Sequence, residues 1–317
     1  MKKLFTTLSN IWKIEDLRAR ILFTLLCLLI YRIGSFIVLP GVNPASLNTE
    51  EKEGLLGLLN MFAGGSFSRA SIFALGVMPY ISASIVMQLL GIVVPYFQKL
   101  QKDGETGRKT INQLTRYLTI ILTALQATAY VSSQIAADAK IMSEPLFTIS
   151  SMFILTAGTL FVMWLGEKIT DKGIGNGISL IIMVGIIAQL PYGIFAEFAT
   201  RMEGNGGLIP FIVEIAALFF VVMFTILIVQ GVRKIPVQYA KKQVGSKQVG
   251  GVRQYIPLKV NAVGVMPIIF AQAIMFIPAT MMQFFPNAQS SILASFSDYT
   301  SLAYNLTFAL LIIVFTF

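Results

Sequence analysis

Few side chains in this sequence could perform chemistry. The 317 residues include no histidine and one cysteine, Cys27. Without imidazole the chain lacks the commonest general base, and without a second thiol it can form neither an internal disulfide nor a usual zinc site. Scattered serines and the carboxylate of Glu214 are the remaining candidates for catalysis. The sequence therefore predicts a protein that is not an enzyme and that needs no cofactor.

Four polar side chains stand inside long apolar runs, where charge is costly and usually functional. Arg32 and Glu214 are predicted to lie toward the outer side of a membrane. They could pair as a structural tie, or Arg32 could shape the outer funnel of a pore. Gln126 and Gln272 favour a hydrogen bond between helices, which would act as a latch if those helices separate.

A basic stretch, residues 233–259, contains seven Lys and Arg residues and no acidic residue. Its alternating Val, Gln and Tyr residues predict a β-hairpin that turns at a Val-Gly-Gly sequence. Membrane topology and lipid headgroups would explain the charge. The length of the stretch and its Tyr239, Ile256 and Pro257 favour docking onto an acidic partner, such as ribosomal RNA or an anionic protein. The predicted docking residues are Arg233, Lys234, Lys241, Lys242, Lys247 and Arg253.

The elements that must position these residues are membrane helices. The chain is 56% hydrophobic and 12% charged, with a mean hydropathy of +0.76, which is typical of a multi-span membrane protein. Runs of about 20 apolar residues have the length of a bilayer crossing. The predicted spans are 21–39, 71–94, 114–136, 147–165, 178–198, 208–232, 262–284 and 302–317. The predicted fold is therefore an all-α polytopic membrane protein with about eight transmembrane helices. Because the last run is short and uncapped, we expect the chain to be C-terminally truncated.

Basic residues fall mainly on one side of these spans. With Met1 in the cytoplasm, all but five of the 24 Lys and Arg residues lie in cytoplasmic segments. The five exceptions are Arg32, Lys52, Arg69, Lys140 and Arg201. Because basic loops are retained in the cytoplasm, the sequence predicts a cytoplasmic N-terminus. Residues 1–20 mix basic and apolar side chains and predict an interfacial segment on anionic lipid, without a removable signal peptide.

A short apolar segment, residues 54–65, cannot cross a bilayer. It leads through Gly64 and Gly65 into the span 71–94, whose Pro79 and small polar residues indicate a helix that faces protein or water. Ile81 and Ile85 share one face of that helix because they are four residues apart. This arrangement predicts a stopper beside a pore, and a re-entrant loop that only fills space is the alternative. The glycine-rich run 173–179 lacks the Lys-Ser pair of a phosphate loop and predicts a flexible lead into the next span.

Five strings spread over nearly the whole chain resemble bacterial members of the SecY family, the channel subunits of the general protein translocon. They are YRIGSFIVLPGV (31–42), SRASIFALGVMPYISASIVMQLL (68–90), DGETGRKTINQLTRY (103–117), WLGEKITDKGIGNGISLII (164–182) and PLKVNAVGVMPIIFAQAIMFIPA (257–279). The resemblance implies an hourglass pore with two pseudo-symmetric halves. Residues 21–200 would form the N-terminal half and residues 201–317 an incomplete C-terminal half, with a lateral gate to lipid between them.

The resemblance also implies roles for particular residues. The plug would be residues 54–65, with the apolar side chains of Leu55, Leu56, Leu58, Leu59, Met61 and Phe62. The isoleucine pore ring would comprise Ile81, Ile85, Ile182, Ile186 and Ile269, and the polar residues of the lateral gate would be Gln126 and Gln272.

The resemblance further implies partners and a location. They are SecE-like and SecG-like small subunits, the SecA motor ATPase, the ribosome, and signal peptides with their nascent secretory or membrane proteins. Anionic lipids are a further expected partner, and the expected location is the bacterial cytoplasmic (inner) membrane.

A secondary transporter for a small solute is the competing class. Such a transporter would use short broken helices to line a binding site at the middle of the bilayer. It predicts charged or paired polar groups at that depth, whereas the candidate pore faces offer mainly isoleucine, serine and alanine.

Overall fold

The computed structural model describes residues 12–47, 60, 63–203, 207–237, 242–244, 247–249, 254–261, 264, 267–268, 270–272, 274–275 and 301–316. The chain forms two compact units. The first comprises Met1–Pro191 and Gln272–Ala309, and the second comprises Tyr192–Ala271 and Leu310–Phe317. Most of the predicted plug and of the span 262–284 lies outside the described residues.

Helices dominate the described chain. They are α1 (Glu15–Gly34), α2 (Met78–Val93), α3 (Pro95–Lys102), α4 (Gly104–Gln134), α5 (Glu144–Lys172), α6 (Gly177–Glu203), α7 (Leu208–Gln230) and α8 (Leu302–Thr316). Among the described residues, α5, α6 and α7 are long and apolar enough to cross a membrane, and α2 with α3 forms a further candidate, bent by 99°. α1 and α4, of 20 and 31 residues, also have spanning length. This architecture agrees with the predicted all-α, multi-span fold class.

The predicted span 71–94 is wrong in its first seven residues. Residues 63–77 are not helical, and α2 begins only at Met78. Gly76 has a φ of +53°, a conformation that disfavours a continuous helix of L-residues. Pro79 lies in the first turn of α2, where its missing N–H costs nothing. We call residues 63–77 the stem, because they lead from the predicted plug to α2.

The stem forms the centre of the first unit. On one side Phe67, Ala70 and Ala74 belong to an apolar cluster with Tyr130 of α4 and Phe147 of α5. On the other side the stem's Phe73 and Val77 pack in a second cluster with residues of α1, α5 and α6: Cys27, Tyr31, Val162, Leu165, Ile169 and Ile181. A segment without regular structure is thus enclosed by helices on both sides.

One face of α4 is built for close helix packing. Thr115, Thr119, Thr123 and Ala127 are buried at four-residue intervals, so they lie above one another. Each threonine hydroxyl donates to the carbonyl four residues earlier, at 2.6 to 2.8 Å. The small side chains satisfy their own polar groups and let neighbouring helices approach, as expected in an apolar environment.

Hydrogen bonds tie the corner between α5 and α6 to neighbouring side chains, and the predicted flexibility of residues 173–179 stays a prediction. The Thr24 hydroxyl of α1 accepts from the Ile174 N–H at 3.1 Å. The Thr170 hydroxyl accepts from the Gly177 N–H at 2.8 Å. A Cβ at Gly173 would overlap the Thr24 hydroxyl. Gly173 thus allows close packing against α1, and Gly177 allows close packing against α5 at Gly166.

The second unit contains the predicted β-hairpin, which the structure confirms. Strands β1 (Val232–Val237) and β4 (Gln254–Lys259) pair antiparallel, as do β2 (Lys242–Val244) and β3 (Lys247–Val249). Val244 is the register partner of Lys247, so the chain reverses between these two residues. The predicted turn at the Val-Gly-Gly sequence is therefore wrong.

Candidate functional site

The stem begins at two glycines that are held close to α6. Gly64 and Gly65 have φ values of +64° and +79°, in the left-handed region that favours glycine. A Cβ at Gly64 would lie 3.0 Å from the Cα of Gly185, and one at Gly65 would lie 2.7 Å from Nε2 of Gln189. Backbone geometry and space both exclude larger residues here. The sequence thus permits a tight contact between the start of the stem and α6.

Two arginines converge on the Gly64 carbonyl oxygen. Arg32, near the end of α1, donates to it from Nη1 at 3.1 Å. Arg69, within the stem, donates to the same oxygen from Nη2 at 2.9 Å. Charge-assisted hydrogen bonds of this kind are stronger than neutral ones. The bond from Arg69 closes the turn of the stem, and the bond from Arg32 fastens that turn to α1.

The phenyl group of Phe36 lies against both guanidinium groups. The Cζ atoms of Arg32 and Arg69 are 4.8 Å and 4.4 Å from its centroid. The negative face of an aromatic group attracts cations at this distance, which offsets the repulsion between the two like charges. Burial, and then the charge of Arg32, lower the pKa of Arg69 from its ordinary value. An arginine nevertheless remains protonated under physiological conditions. We call Arg32, Phe36, Gly64 and Arg69 the arginine clamp.

Further hydrogen bonds fix the turn that contains the glycines. The backbone oxygen of Asn60 accepts from the Gly65 N–H at 2.8 Å, and its Oδ1 accepts from the Ser68 N–H at 3.0 Å. The Ser66 hydroxyl donates to the Ala63 carbonyl at 2.6 Å. These contacts satisfy polar groups that would otherwise be buried without partners.

The later part of the stem is held by hydrogen bonds that do not involve the two arginines. The Ile72 N–H donates to the Ile37 carbonyl at 2.9 Å, and the Leu39 N–H donates to the Ala70 carbonyl at 2.8 Å. The Tyr130 hydroxyl of α4 donates to the Phe67 carbonyl at 2.6 Å. Residues from Phe67 onward are therefore tied to α4 and to the chain that follows α1, whereas Gly64 is held by the arginine clamp.

The predicted pore-ring residues have different surroundings. Ile85 is buried, Ile81 is half-buried against the second apolar cluster, and Ile186 is exposed. Ile182 is half-buried and lines a small cavity with Ala63 at the start of the stem. Ile269 lies outside the described residues. The ring remains a prediction, but α6 places Ile182 beside the stem.

Of the other predicted site residues, the structure describes some, and the rest lie outside the described residues. Gln126 is half-buried in α4, and Gln272 is buried. Arg233 and Lys234 are exposed in β1, and Lys242 and Lys247 belong to β2 and β3. The plug residues Leu55, Leu56, Leu58, Leu59, Met61 and Phe62, and the docking residues Lys241 and Arg253, lie outside the described residues.

The predicted pairing of Arg32 with Glu214 is wrong. Glu214 forms an ion pair with Arg201, which also contacts Glu197 at 2.8 Å. Arg32 instead holds the Gly64 carbonyl. Neither Arg69 nor Phe36 was predicted as part of this site, although Phe36 lies four residues after Arg32 and Arg69 lies four residues after Gly65.

The arrangement can hold a segment in place but offers no reacting group. Its polar contacts are backbone groups, hydroxyls, the amide oxygen of Asn60 and two permanent cations, with glycines at the points of closest approach. These features define a multi-span helical membrane protein with a non-helical segment packed among its helices.

Comparisons with known proteins agree with this class. A family model described as SecY matches residues 71–317. The protein translocase subunit SecY of Halalkalibacterium halodurans is 42% identical over 325 residues, which cover 99% of this chain and 75% of that protein. The chain therefore belongs to the SecY family. Members of this family are channel subunits of the translocon, so this protein is a multi-pass membrane protein and not an enzyme.

Solved structures show the same fold at low sequence identity. Sec61 in the canine ribosome–channel complex of the endoplasmic reticulum is 19% identical, with a TM-score of 0.59 over 84% of this chain and 59% of that one. A SecY structure, described as showing that the plug domain stabilises the closed channel and maintains a membrane seal, is 22% identical. Its TM-score is 0.56 over 84% of this chain and 58% of that one.

Proposed function

We propose that this chain lines the pore through which unfolded secretory polypeptides cross the bacterial cytoplasmic membrane. The observation that carries the proposal is the wedged stem. Gly64 lies against Gly185, and Ala63 shares a small cavity with Ile182. A segment held in this way would keep the predicted plug, residues 54–65, next to the helix face that carries the predicted ring. The concentration of basic residues in the predicted cytoplasmic segments supports a cytoplasmic N-terminus.

In this proposal the isoleucine ring is the constriction of the pore. A ring of aliphatic side chains disfavours water and ions, yet it can widen around an extended polypeptide without specific hydrogen bonds. Polypeptides of any sequence could therefore pass. The burial of Ile85 and the partial burial of Ile81 and Ile182 are consistent with a constriction that is closed at rest.

Hydrophobic segments would leave the pore sideways into lipid. The proposed exit lies between α2 and α4 on one side and the predicted seventh and eighth spans on the other. A signal peptide or transmembrane segment would partition into lipid through its own apolar area, at about 25 cal/mol per Å². Gln126 and Gln272 would form a polar latch across this exit.

Energy for transport comes from outside the chain in this proposal. The exposed basic hairpin, including Arg233 and Lys234, would dock a SecA motor or a ribosome through its positive charge. The related canine Sec61 in a ribosome–channel complex supports the ribosome as a partner. SecE-like and SecG-like subunits would complete the channel, and anionic lipids would contact residues 1–20.

Cross-linking to a polypeptide arrested in transit tests the proposal. The full-length protein, with Cys27 replaced by Ser, would carry a single cysteine at position 81 or 182. Matched controls would carry it at position 187, on the same helix as 182, or at position 121 of α4, because Ile187 and Ile121 are exposed isoleucines. We expect the arrested chain to cross-link to positions 81 and 182 and not to the two controls.

Two outcomes would contradict the proposal. Equal cross-linking at all four positions would mean that the arrested chain does not follow a defined pore. Absence of cross-links at positions 81 and 182, together with protection of both from a thiol reagent by a small solute, would favour the secondary transporter instead.

A further inference from the structure

We propose that Pro236 and Pro257 close the edges of the hairpin's longer ribbon, formed by β1 and β4, against the addition of a third strand. Partners would then contact the side chains of this ribbon, and extended polypeptides would not pair with its backbone. The inference rests on the proposed function, because a translocation channel brings unfolded polypeptides close to its own surface. It adds a property of the hairpin that positive charge alone does not provide.

The ribbon has the features of a surface that captures extended chains. Among the described residues its sheet contains only β1 and β4, so each strand has one edge without a partner strand there. The neighbouring side chains of Ile235, Ile256 and Leu258 are 41% to 51% exposed. An exposed apolar edge is a template for strand addition, in which a peptide pairs with the outward N–H and C=O groups. Near unfolded polypeptides, such an edge would bind them unless something prevents it.

One hydrogen bond fixes which backbone groups of the ribbon point outward. The Val260 N–H donates to the Gly231 carbonyl at 3.0 Å. These two residues directly extend the register in which Val232 is opposite Lys259. Hydrogen-bonded and non-hydrogen-bonded pairs alternate along an antiparallel ladder. The pair of Val232 and Lys259 is therefore non-hydrogen-bonded, as is every second pair after it, and the N–H and C=O groups of these pairs point away from the partner strand.

Both prolines occupy outward-pointing positions. Pro257 is opposite Lys234, in the second of the non-hydrogen-bonded pairs. Pro236 is opposite Tyr255, in the third. Because proline has no N–H, it removes a donor from the outer edge at these positions and leaves the bonds between the strands intact. A shift of either proline by one residue would remove a hydrogen bond between β1 and β4.

The two edges are closed in different ways. On β4 the proline stands between the outward N–H groups of Tyr255 and Lys259, so it interrupts the row of donors at its centre. On β1, Pro236 ends the row beyond Lys234, whose charge also disfavours an added strand. A substitution should therefore have its larger effect at Pro257.

Binding of an extended peptide tests the inference. The full-length protein with its co-purifying subunits, in lipid nanodiscs, would be titrated into a dye-labelled peptide of about six alternating Thr and Val residues, which is typical of a strand. Pro257→Val restores the missing donor, so its dissociation constant for the peptide should decrease by about twofold to tenfold, the range for one backbone hydrogen bond. Pro236→Val should have a smaller effect. The tighter binding should persist in high salt, because it does not depend on the charge of the hairpin.

Leu258→Val is the matched control. It also introduces valine into β4, but the N–H at this position points toward β1, so no outward donor is added. We expect this variant to bind the peptide like the wild type. Equal tightening by Leu258→Val would mean that β propensity causes the capture, and it would overturn the inference. So would wild-type affinity in the double variant Pro236→Val/Pro257→Val.

Hydrogen exchange locates the captured peptide. In Pro257→Val the N–H groups of Tyr255 and Lys259 should exchange more slowly with the peptide bound, because they point toward the edge that it would occupy. Tighter binding without this protection would place the peptide elsewhere and contradict the inference. The peptide assay does not involve positions 81 and 182, so its failure would overturn this inference and leave the proposed pore standing.

Discussion

Replacement of Tyr130 by Phe tests how the stem is held. The hydroxyl of this buried side chain donates to the Phe67 carbonyl at 2.6 Å. Its aromatic group also meets that of Phe67 edge-on, with centroids 4.9 Å apart. Tyr130→Phe removes the hydrogen bond and keeps the aromatic contact. Any change in stability can therefore be assigned to the lost hydroxyl.

The expected loss of stability depends on which hydrogen bonds the Phe67 carbonyl keeps in the variant. Leaving a buried acceptor unsatisfied costs about 1–3 kcal/mol. The Phe67 carbonyl keeps a long contact with the Ala70 N–H at 3.4 Å, so we expect the lower part of this range, about 1–2 kcal/mol. For a domain of 150–250 residues, 1 kcal/mol corresponds to about 2–4 °C in the midpoint of thermal unfolding. A decrease of about 2–8 °C is therefore expected.

The assay is thermal unfolding of the purified full-length protein in detergent, at one fixed scan rate. Tyr117→Phe is the control, because Tyr117 lies on the same helix and is 65% exposed. It should unfold like the wild type. An unchanged midpoint for Tyr130→Phe, or an equal decrease for the control, would refute the assigned role of this hydrogen bond.

Three further predictions concern other contacts. Gly158→Ala should destabilise the protein by about 1–3 kcal/mol through overpacking, because the new Cβ would overlap the Ile72 carbonyl of the stem. Gly193→Ala is the control: its Cβ would meet open space, so this variant should stabilise the protein by about 0.5–1 kcal/mol. The midpoints of thermal unfolding would check both variants. Arg116→Gln should cost about 0.5–1 kcal/mol by breaking its paired contacts with Glu167, and the loss should shrink in 1 M salt if the pair is electrostatic. Arg233→Glu should weaken motor or ribosome binding most at low salt, as sedimentation with the partner would show; a salt-independent effect would contradict electrostatic docking.

The sequence was informative where periodicity and charge decide structure. Long apolar runs predicted the helices α4 to α8, and alternation predicted the β-hairpin. Its turn was misplaced because both Gly-Ser and Val-Gly-Gly favour a turn, and the register between strands decides which one is used. Apolar composition also could not separate the stem from α2, since both are hydrophobic, although Gly76 and Pro79 carried the local signal for the start of the helix.

The candidate site was less predictable because its contacts join distant parts of the chain. Arg32 meets a carbonyl 32 residues away, and backbone carbonyls leave no signature in a sequence. Glu214 pairs with Arg201, 13 residues earlier, because the end of α6 and the start of α7 approach each other. Their proximity depends on how the short connection between these helices folds, which hydropathy does not predict.

The distance between positions 81 and 182 tests the central claim most directly. Spin labels at these positions, in the full-length protein with Cys27 replaced by Ser, would report the separation of α2 and α6 at rest and with a polypeptide arrested in transit. A channel that opens between these helices predicts an increase of at least about 5 Å, the spacing that one extended chain occupies. An unchanged distance with the polypeptide arrested would contradict the proposed pore.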